Sequence, residues 1–215
     1  MKAFDLIAEE WNERRQRPMN ALALFLPMLP RNAEVMDAGC GNGRNARIIA
    51  SRSRLLYCFD SSENMLKFAR KNLRGLKNVK IMRAGVEKIP LPSESVDAAF
   101  YMSVLHHLDA SQRKKAFKEM ARVLRKGGKA FITVWNKDQR KFLEQKSKRQ
   151  FPVMWKKKDG SVVKRFHYFY TAAELRLIAK QNGMRAESVF YELRGEKTEK
   201  KGAHNLCAVF FKAKA

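Results

Sequence analysis

The sequence predicts an α/β fold built on a mostly parallel sheet, and three observations carry that expectation. Apolar spacing alternates along the chain between helical and strand-like periods. A strand-like run, Val35-Met36-Asp37, stops at a glycine-rich turn, Gly39-Cys40-Gly41-Asn42-Gly43, which opens a helix. Finally, 215 residues at 45% hydrophobic content make one domain, 1–215, with a core that needs no staples.

Phe4, Ile7, Ala8 and Trp11 form a helical stripe, and Pro18 opens a second helix through Leu22 and Phe25. Residues 1–32 therefore read as a helical extension ahead of the first strand. After the glycines the spacing predicts a helix over 44–51, a strand over 55–59 and a serine-capped helix over 61–73. Strands follow over 79–82 and 96–102. Asp109 and Gln112 can cap the next helix reciprocally, with Phe117, Met120, Ala121 and Leu124 as its buried stripe and Gly127-Gly128 as its end. Beyond a strand over 130–135, periodicity fades across a basic insert, 136–165, holding eleven Lys or Arg (Lys146 among them) against three acids. A helix over 171–181 and strands over 186–192 and 205–211 complete the chain.

Forty-five Lys and Arg against twenty-one Asp and Glu leave a net charge of +24. Such an excess repels itself unless a polyanion neutralises it, and nucleic acid is the obvious one. The longest apolar run, 21–26, ends at Pro27, so neither a membrane span nor secretion is expected and the chain reads as cytoplasmic. Cys40, Cys58 and Cys207 form no CxxC pair, which predicts no metal site and no disulfide framework.

The glycine loop is the sharpest local signal. Asp37 ends the strand before it, and Asp60 ends the next strand, where its carboxylate can accept from both hydroxyls of a ribose. A dinucleotide fingerprint would place a third glycine where Arg44 stands. The bland alternative is a turn with no ligand. The runs DAGCGNG and FDSSENML resemble those of the class I S-adenosylmethionine methyltransferases across residues 33–135. That resemblance implies a Rossmann-like, seven-stranded, mostly parallel sheet, with S-adenosylmethionine as cofactor and S-adenosylhomocysteine as product. It also implies a cofactor site from Asp37, Gly39, Cys40, Gly41, Gly43, Asp60, Ser61 and Ser103. Gly85 stands where the family carries an acid for adenine, so the implied adenine contacts are the backbone of Gly85 and Val86, or Glu87.

Methyl transfer is an in-line displacement in which the protein mainly positions the acceptor. After the fourth strand the chain reads Tyr101-Met102-Ser103-Val104-Leu105-His106-His107-Leu108, without the Pro-Pro-aromatic run of amine methylation. No cysteine stands where pyrimidine C5 methylation needs its nucleophile. The runs at Arg14-Arg15-Gln16-Arg17-Pro18, at Val104–Leu108, at Trp135-Asn136-Lys137-Asp138-Gln139 and at Arg165-Phe166-His167-Tyr168-Phe169-Tyr170 together resemble the tRNA wobble-uridine carboxymethyl methyltransferases. This resemblance spans residues 4–212 and implies esterification of 5-carboxymethyluridine. A carboxylate is already ionised at neutral pH, so it needs a cationic fork rather than a base. By motif position the family's catalytic residues fall on Arg15, His106, His107, Arg165 and Tyr170, whereas Gln16, Met19 and 136–139 depart from the pattern.

In the basic insert, Phe142, Phe151 and Trp155 interleave with the charges, so bases of the anticodon loop of tRNA are expected to stack there. The resemblance also implies a small zinc-binding activator subunit that adds a strand to the sheet, which the apolar run of Leu55, Leu56, Tyr57 and Phe59 would suit. Two other readings stay open: a methyltransferase of a small molecule such as a quinone precursor, which has no need of +24, and a non-catalytic RNA-binding protein that keeps the fold.

Overall fold

The chain is described by a computed structural model over residues 2–145 and 148–213, so Lys146 of the basic insert lies outside the described residues. Its strands are β1 (Ala33–Ala38), β2 (Ser53–Asp60), β3 (Val79–Arg83), β4 (Val96–Met102), β5 (Leu124–Trp135), β6 (Gln150–Lys156), β7 (Val162–Tyr168), β8 (Met184–Leu193), β9 (Glu196–Thr198) and β10 (Asn205–Lys212). Its helices are α1 (Lys2–Arg14), α2 (Leu22–Phe25), α3 (Ala46–Ala50), α4 (Glu63–Asn72), α5 (Ala110–Val123) and α6 (Ala172–Gln181). Eight strands form one sheet in the order β3-β2-β1-β4-β5-β10-β8-β9. β1 to β5 are parallel, and β10 runs antiparallel to both its neighbours. The seven expected strands gain an eighth because Arg194 and Gly195 adopt positive φ, the geometry of a tight hairpin, and fold β9 back on β8.

β1 has β2 on one side and β4 on the other, so the strand order reverses there. In open α/β sheets ligands bind beyond the carboxyl ends of the strands at that reversal. Alternation along β1 feeds two cores. Met36 and Ala38 pack with Phe117, Met120, Leu175 and Ala179, while Val35 packs with Phe25, Ile49, Leu66 and Ala69. Helices thus cover both faces of the sheet.

The helix after the glycine loop is shorter than its periodicity predicts. Gly127 and Gly128 lie within β5 instead of ending α5: Leu124 is already extended, and Gly127, at φ +84°, allows a register shift against β4. Arg125, just before them, donates to Asp97 (2.9 Å) and to Glu34 (2.5 Å) and so ties β5, β4 and β1 together.

The basic insert is the larger departure. Its second half forms the hairpin β6–β7, separate from the main sheet. Phe142, Phe151 and Trp155 are buried, Phe142 and Phe151 against Phe169 and Trp155 against Ile7, Ala8 and Met65, so none of the three is a free ring for a base. Leu55–Phe59 is not an open edge either. β2 is hydrogen-bonded on both sides and buries Leu56 and Phe59, which leaves β3 as the free parallel edge.

Asp109 accepts from the Gln112 main chain (2.8 Å) while the Gln112 side chain accepts from Asp109 N–H (3.2 Å), the expected reciprocal cap. Thr171 and Glu174 cap α6 in the same way. Asp109→Ala is expected to lower stability by about 1 kcal/mol in urea unfolding.

Candidate active site

Beyond the carboxyl ends of β1, β2 and β4 lies a cavity of about 390 Å³, lined at one end by Gly39, Cys40, Gly41, Asp60, Ser61, Ala84, Val86 and Ser103. The loop is built for close approach. A Cβ on Gly39 would sit 2.3 Å from Val104, and its φ of +77° disfavours any side chain. Gly43 lines no part of the cavity; it lets the loop pack against Ala69 of α4 and Leu73 just past its end. Asp60 accepts from Gly41 N–H and Ser62 N–H (both 2.9 Å), which fixes its carboxylate at the cavity wall. Ser103 is held at φ +61°, its N–H directed at the Thr133 hydroxyl (2.9 Å), a strained conformation of the kind found at functional sites.

Asp37 lies beneath this loop, fully buried, and neither of its carboxylate oxygens has a hydrogen-bond partner. Burial, reinforced by Asp60 and opposed by Arg44, pushes its carboxyl up to about 7. A buried carboxylate without donors is costly, so this position calls for a cationic partner. The donor set fits S-adenosylmethionine: Asp37 toward the methionine ammonium, Arg44 for the methionine carboxylate and Asp60 for the ribose hydroxyls. Adenine is left the wall at Ala84 and Val86. Gly85 and Glu87 line no part of the cavity: the Glu87 carboxylate folds back onto Gly85, 2.6 Å from where a Cβ would stand, and its buried Oε2 has no partner.

The other end of the cavity carries the opposite charge. Arg15, Lys141 and Arg165 line it, and among the described residues none of the three has a carboxylate partner; Glu192 also lines the cavity, its carboxylate accepting from the Gly195 N–H and from Asn205 (both 2.6 Å). All three tryptophans of the chain surround the Arg165 guanidinium, at 5.2 Å (Trp155), 5.8 Å (Trp11) and 5.9 Å (Trp135). Arg165 is buried with its Nε unpartnered, and desolvation, with Arg15 nearby, lowers it to about 10. Lys141 sits 3.8 Å over Trp135 and is lowered to about 8 by burial first, then by Arg165 and Arg15. Arg44 falls to about 10 through burial and Arg15.

His106 and His107 meet His167 between these cations. His107 donates from Nδ1 to the Phe166 carbonyl and His167 from Nδ1 to that of Arg165 (both 3.0 Å), while Trp135 N–H donates to His106 Nδ1 (3.4 Å). All three rings are kept neutral, with pKa values pushed below the usual histidine range, that of His167 to about 3; burial is the leading cause, neighbouring imidazoles and cations adding to it. One ring nitrogen from each lies within 4.8 Å of the others, a spacing that admits a metal ion. A metal needs three lone pairs, however, and the bond from Trp135 leaves the proton of His106 on Nε2. With Arg165 and Lys141 beside them, the three rings suit a neutral or anionic ligand better than a dication.

Helix α1 and the segment after it hold the two ends in register. Asn42 donates to Asn12 (3.1 Å) and to the Arg15 carbonyl (3.0 Å), Ser62 to Asp5 (2.6 Å), and Trp155 and the Lys158 main chain to Glu10 (3.2 and 2.7 Å).

The structure therefore brings Arg15, His106, His107 and Arg165 to one cavity with Gly39, Cys40, Gly41, Asp60, Ser61, Val86 and Ser103. Asp37, Gly43, Gly85 and Glu87 line no part of it, and neither does Tyr170. Tyr170 is buried, packs edge-on against Phe117 and Tyr168, and donates to the Leu105 carbonyl (3.4 Å), so it supports the loop that carries the histidines and does not reach the cavity. Arg44, Lys141, Trp11, Trp135 and His167 were missed by sequence reasoning. The Arg-x-His spacing of 165 and 167 was the available signal, since alternate strand residues share a face.

Comparison with known proteins agrees with this architecture. A methyltransferase domain model matches residues 36–132. A tRNA (carboxymethyluridine(34)-5-O)-methyltransferase of Arabidopsis thaliana is 34% identical over 143 residues, covering 64% of this chain and 33% of that protein. The enzyme of that name from Schizosaccharomyces pombe is 31% identical over 150 residues, 69% of this chain and 60% of its own. The chain spans between a fifth and a third of the length of the plant and vertebrate relatives. Among solved structures, a putative Haloferax volcanii methyltransferase complexed with the Trm112 activator superposes with a TM-score of 0.76 at 17% identity, covering 100% of this chain and 97% of its own.

Asp37→Asn tests the acidic end. Because the folded carboxyl is raised above its unfolded value of about 4, the ionised form costs stability, fully above pH 7 and not at all below pH 4. The variant should melt higher than the parent at pH 8, by an upper bound on the order of 4 kcal/mol, and equally at pH 4. Its affinity for S-adenosylmethionine by calorimetry should fall at least about tenfold at pH 8.

Proposed function

We propose that this chain, a class I S-adenosylmethionine-dependent methyltransferase, esterifies the carboxylate of 5-carboxymethyluridine at the wobble position of tRNA. The observation that carries the reading is the cluster of cations at the acceptor end of the cofactor cavity, none of them with a carboxylate partner among the described residues, while Glu192 in the same lining is taken up by Asn205 and the Gly195 N–H. Cations without a carboxylate partner, Arg165 buried among them, call for an anionic substrate group, and a protonated amine would find repulsion there.

When bound, S-adenosylmethionine supplies an electrophilic methyl group, which a carboxylate oxygen takes while the carbon–sulfur pair stays on sulfur. The residues have little chemistry to perform, and no base is needed. Arg165, clamped among indoles, holds one carboxylate oxygen in the plane of its guanidinium and leaves the other free to attack. Arg15 closes the same group from the α1 side. His106 directs its Nε2–H, unpartnered and buried, at the acceptor. The indoles keep water out, so the attacking oxygen is poorly solvated and the field of the cations is undiluted.

The net charge of +24 supplies the affinity for RNA. The free parallel edge of β3 supports docking of a zinc-binding activator subunit by strand addition, as does the fold shared with the Haloferax methyltransferase. No helix among the described residues is long and apolar enough to cross a membrane, and we place the enzyme with its tRNA in the cytoplasm.

The test incubates the protein and an activator subunit with labelled S-adenosylmethionine and tRNA carrying 5-carboxymethyluridine. Label on the wobble nucleoside released by mild alkali is expected, reduced at least about 100-fold in Arg165→Ala and partly restored in Arg165→Lys. Alkali-stable label would move the target to a base or ribose atom, and no label on tRNA would return the small-molecule and non-catalytic readings. Binding to tRNA should weaken by several orders of magnitude between low and moderate salt; flat binding would remove RNA as the substrate.

A further inference from the structure

The hairpin β6–β7 has two faces of different character. Its inward residues, Phe151, Trp155, Arg165 and His167, are buried. Its outward residues pair across the hairpin as Pro152 with Phe166, Met154 with Lys164 and Lys156 with Val162. Phe166 is 38% exposed, and Met154 and Val162 are each 53% exposed, which puts three of the five exposed large hydrophobic side chains among the described residues on this one face.

Cations frame the apolar row. Lys156 and Lys164 are exposed and, among the described residues, have no carboxylate partner; Lys157 and Lys158, at the turn, are paired with Asp159 and Glu13. At the opposite end of the face, Tyr168 has Arg113 at 3.7 Å over its ring and Arg149 at 5.4 Å, Arg149 being paired with Glu174, which also accepts from the Tyr168 hydroxyl. None of the eight outward residues, 150, 152, 154, 156, 162, 164, 166 and 168, is acidic. An apolar protein partner would not require this charge pattern. A single strand of RNA does, with rings and aliphatic surface for its bases and ammonium groups for its phosphates.

Phe166 stands between Arg165 and His167, and its carbonyl accepts from His107 in the cavity. The platform is therefore one residue away from the acceptor site. We propose that the outward face of the β6–β7 hairpin docks the unpaired nucleotides flanking the target uridine, one base stacking on Phe166 beside Pro152, with Lys164 and Lys156 meeting the adjacent phosphates. This rests on the tRNA reading above. It also relocates the stacking surface from Phe142, Phe151 and Trp155, which face inward, to side chains one position out of phase.

The experiment measures anisotropy of a labelled anticodon stem-loop RNA across a salt series, with S-adenosylmethionine affinity measured in parallel. Phe166→Ala is expected to weaken RNA binding by about 5- to 100-fold, and Phe166→Tyr to retain it within about twofold. Lys164→Ala should lower the slope of log affinity against log salt by about one. Cofactor affinity should stay that of the parent in all three, which separates the platform from a folding defect. Saturating RNA should also slow oxidation of Met154 by peroxide. Parental RNA affinity in a Phe166→Ala/Lys164→Ala variant would overturn the platform. So would protection of Met154 by the activator subunit but not by RNA, which would make the face a protein interface. Failure of the parent itself to bind the stem-loop would defeat the tRNA reading beneath both.

Discussion

One cavity in this fold has charge of both signs about it, the buried Asp37 carboxylate beneath the glycine loop at one end and guanidinium and ammonium groups, Arg165 buried among them, at the other. Desolvating an ion is costly unless a partner replaces its water. Asp37 and Arg165 hold positions that the folded chain leaves uncompensated, and much of the surrounding structure serves to keep them apart and dry. Three tryptophans shield Arg165. Helix α1 is pinned to the glycine loop through Asn12 and to the hairpin through Glu10, so a break in α1 would disturb both ends together. The unfavourable solvation of the free site becomes specificity, since only a ligand pair with a cationic and an anionic group removes it at both ends.

The sheet was legible because its strands are buried on both faces and bounded by punctuation that has a physical function. β1 ends where Gly39 must adopt positive φ against Val104, and α5 begins where Asp109 and Gln112 cap reciprocally. Where the sequence misled, tertiary context had overridden a local signal. Gly127-Gly128 reads as a helix stop, yet Leu124 is extended already and the glycines serve a bulge that lets Arg125 reach Glu34 and Asp97. The insert read as aperiodic because its cations stand in consecutive runs, Lys148-Arg149, Lys156-Lys157-Lys158 and Lys164-Arg165, which hide the alternation, the last run falling on both faces of the hairpin. Its period of two becomes visible only once Trp155, Arg165 and His167 are seen to share the inward face.

The site divides along the same line. Residues attached to a motif, Asp37, Asp60 and the glycines, are placed by the loop's own geometry and could be found from spacing. Lys141 reaches the cavity, and His167 the ring of His106, through contacts between distant segments, whereas Arg44 directly follows the glycine loop. Tyr170 shows the converse. Its place in a motif suggested chemistry, while its contacts with Phe117 and the Leu105 carbonyl make it a prop for the loop bearing His106 and His107. Glu87, two residues beyond the position where related loops carry an acid, fills the space over Gly85 with its own carboxylate and turns away from the cavity.

The most direct test of a cavity built for opposite charges is to vary the acceptor's charge alone. Two anticodon stem-loop RNAs, identical except that one carries 5-carboxymethyluridine and the other its methyl ester, would be titrated by calorimetry into the protein saturated with S-adenosylhomocysteine. The account predicts that the acid binds at least about tenfold more tightly than the ester and that Arg165→Ala abolishes the difference. Equal affinity for the two RNAs would contradict it, because the cations at the acceptor end would then not be holding the carboxylate.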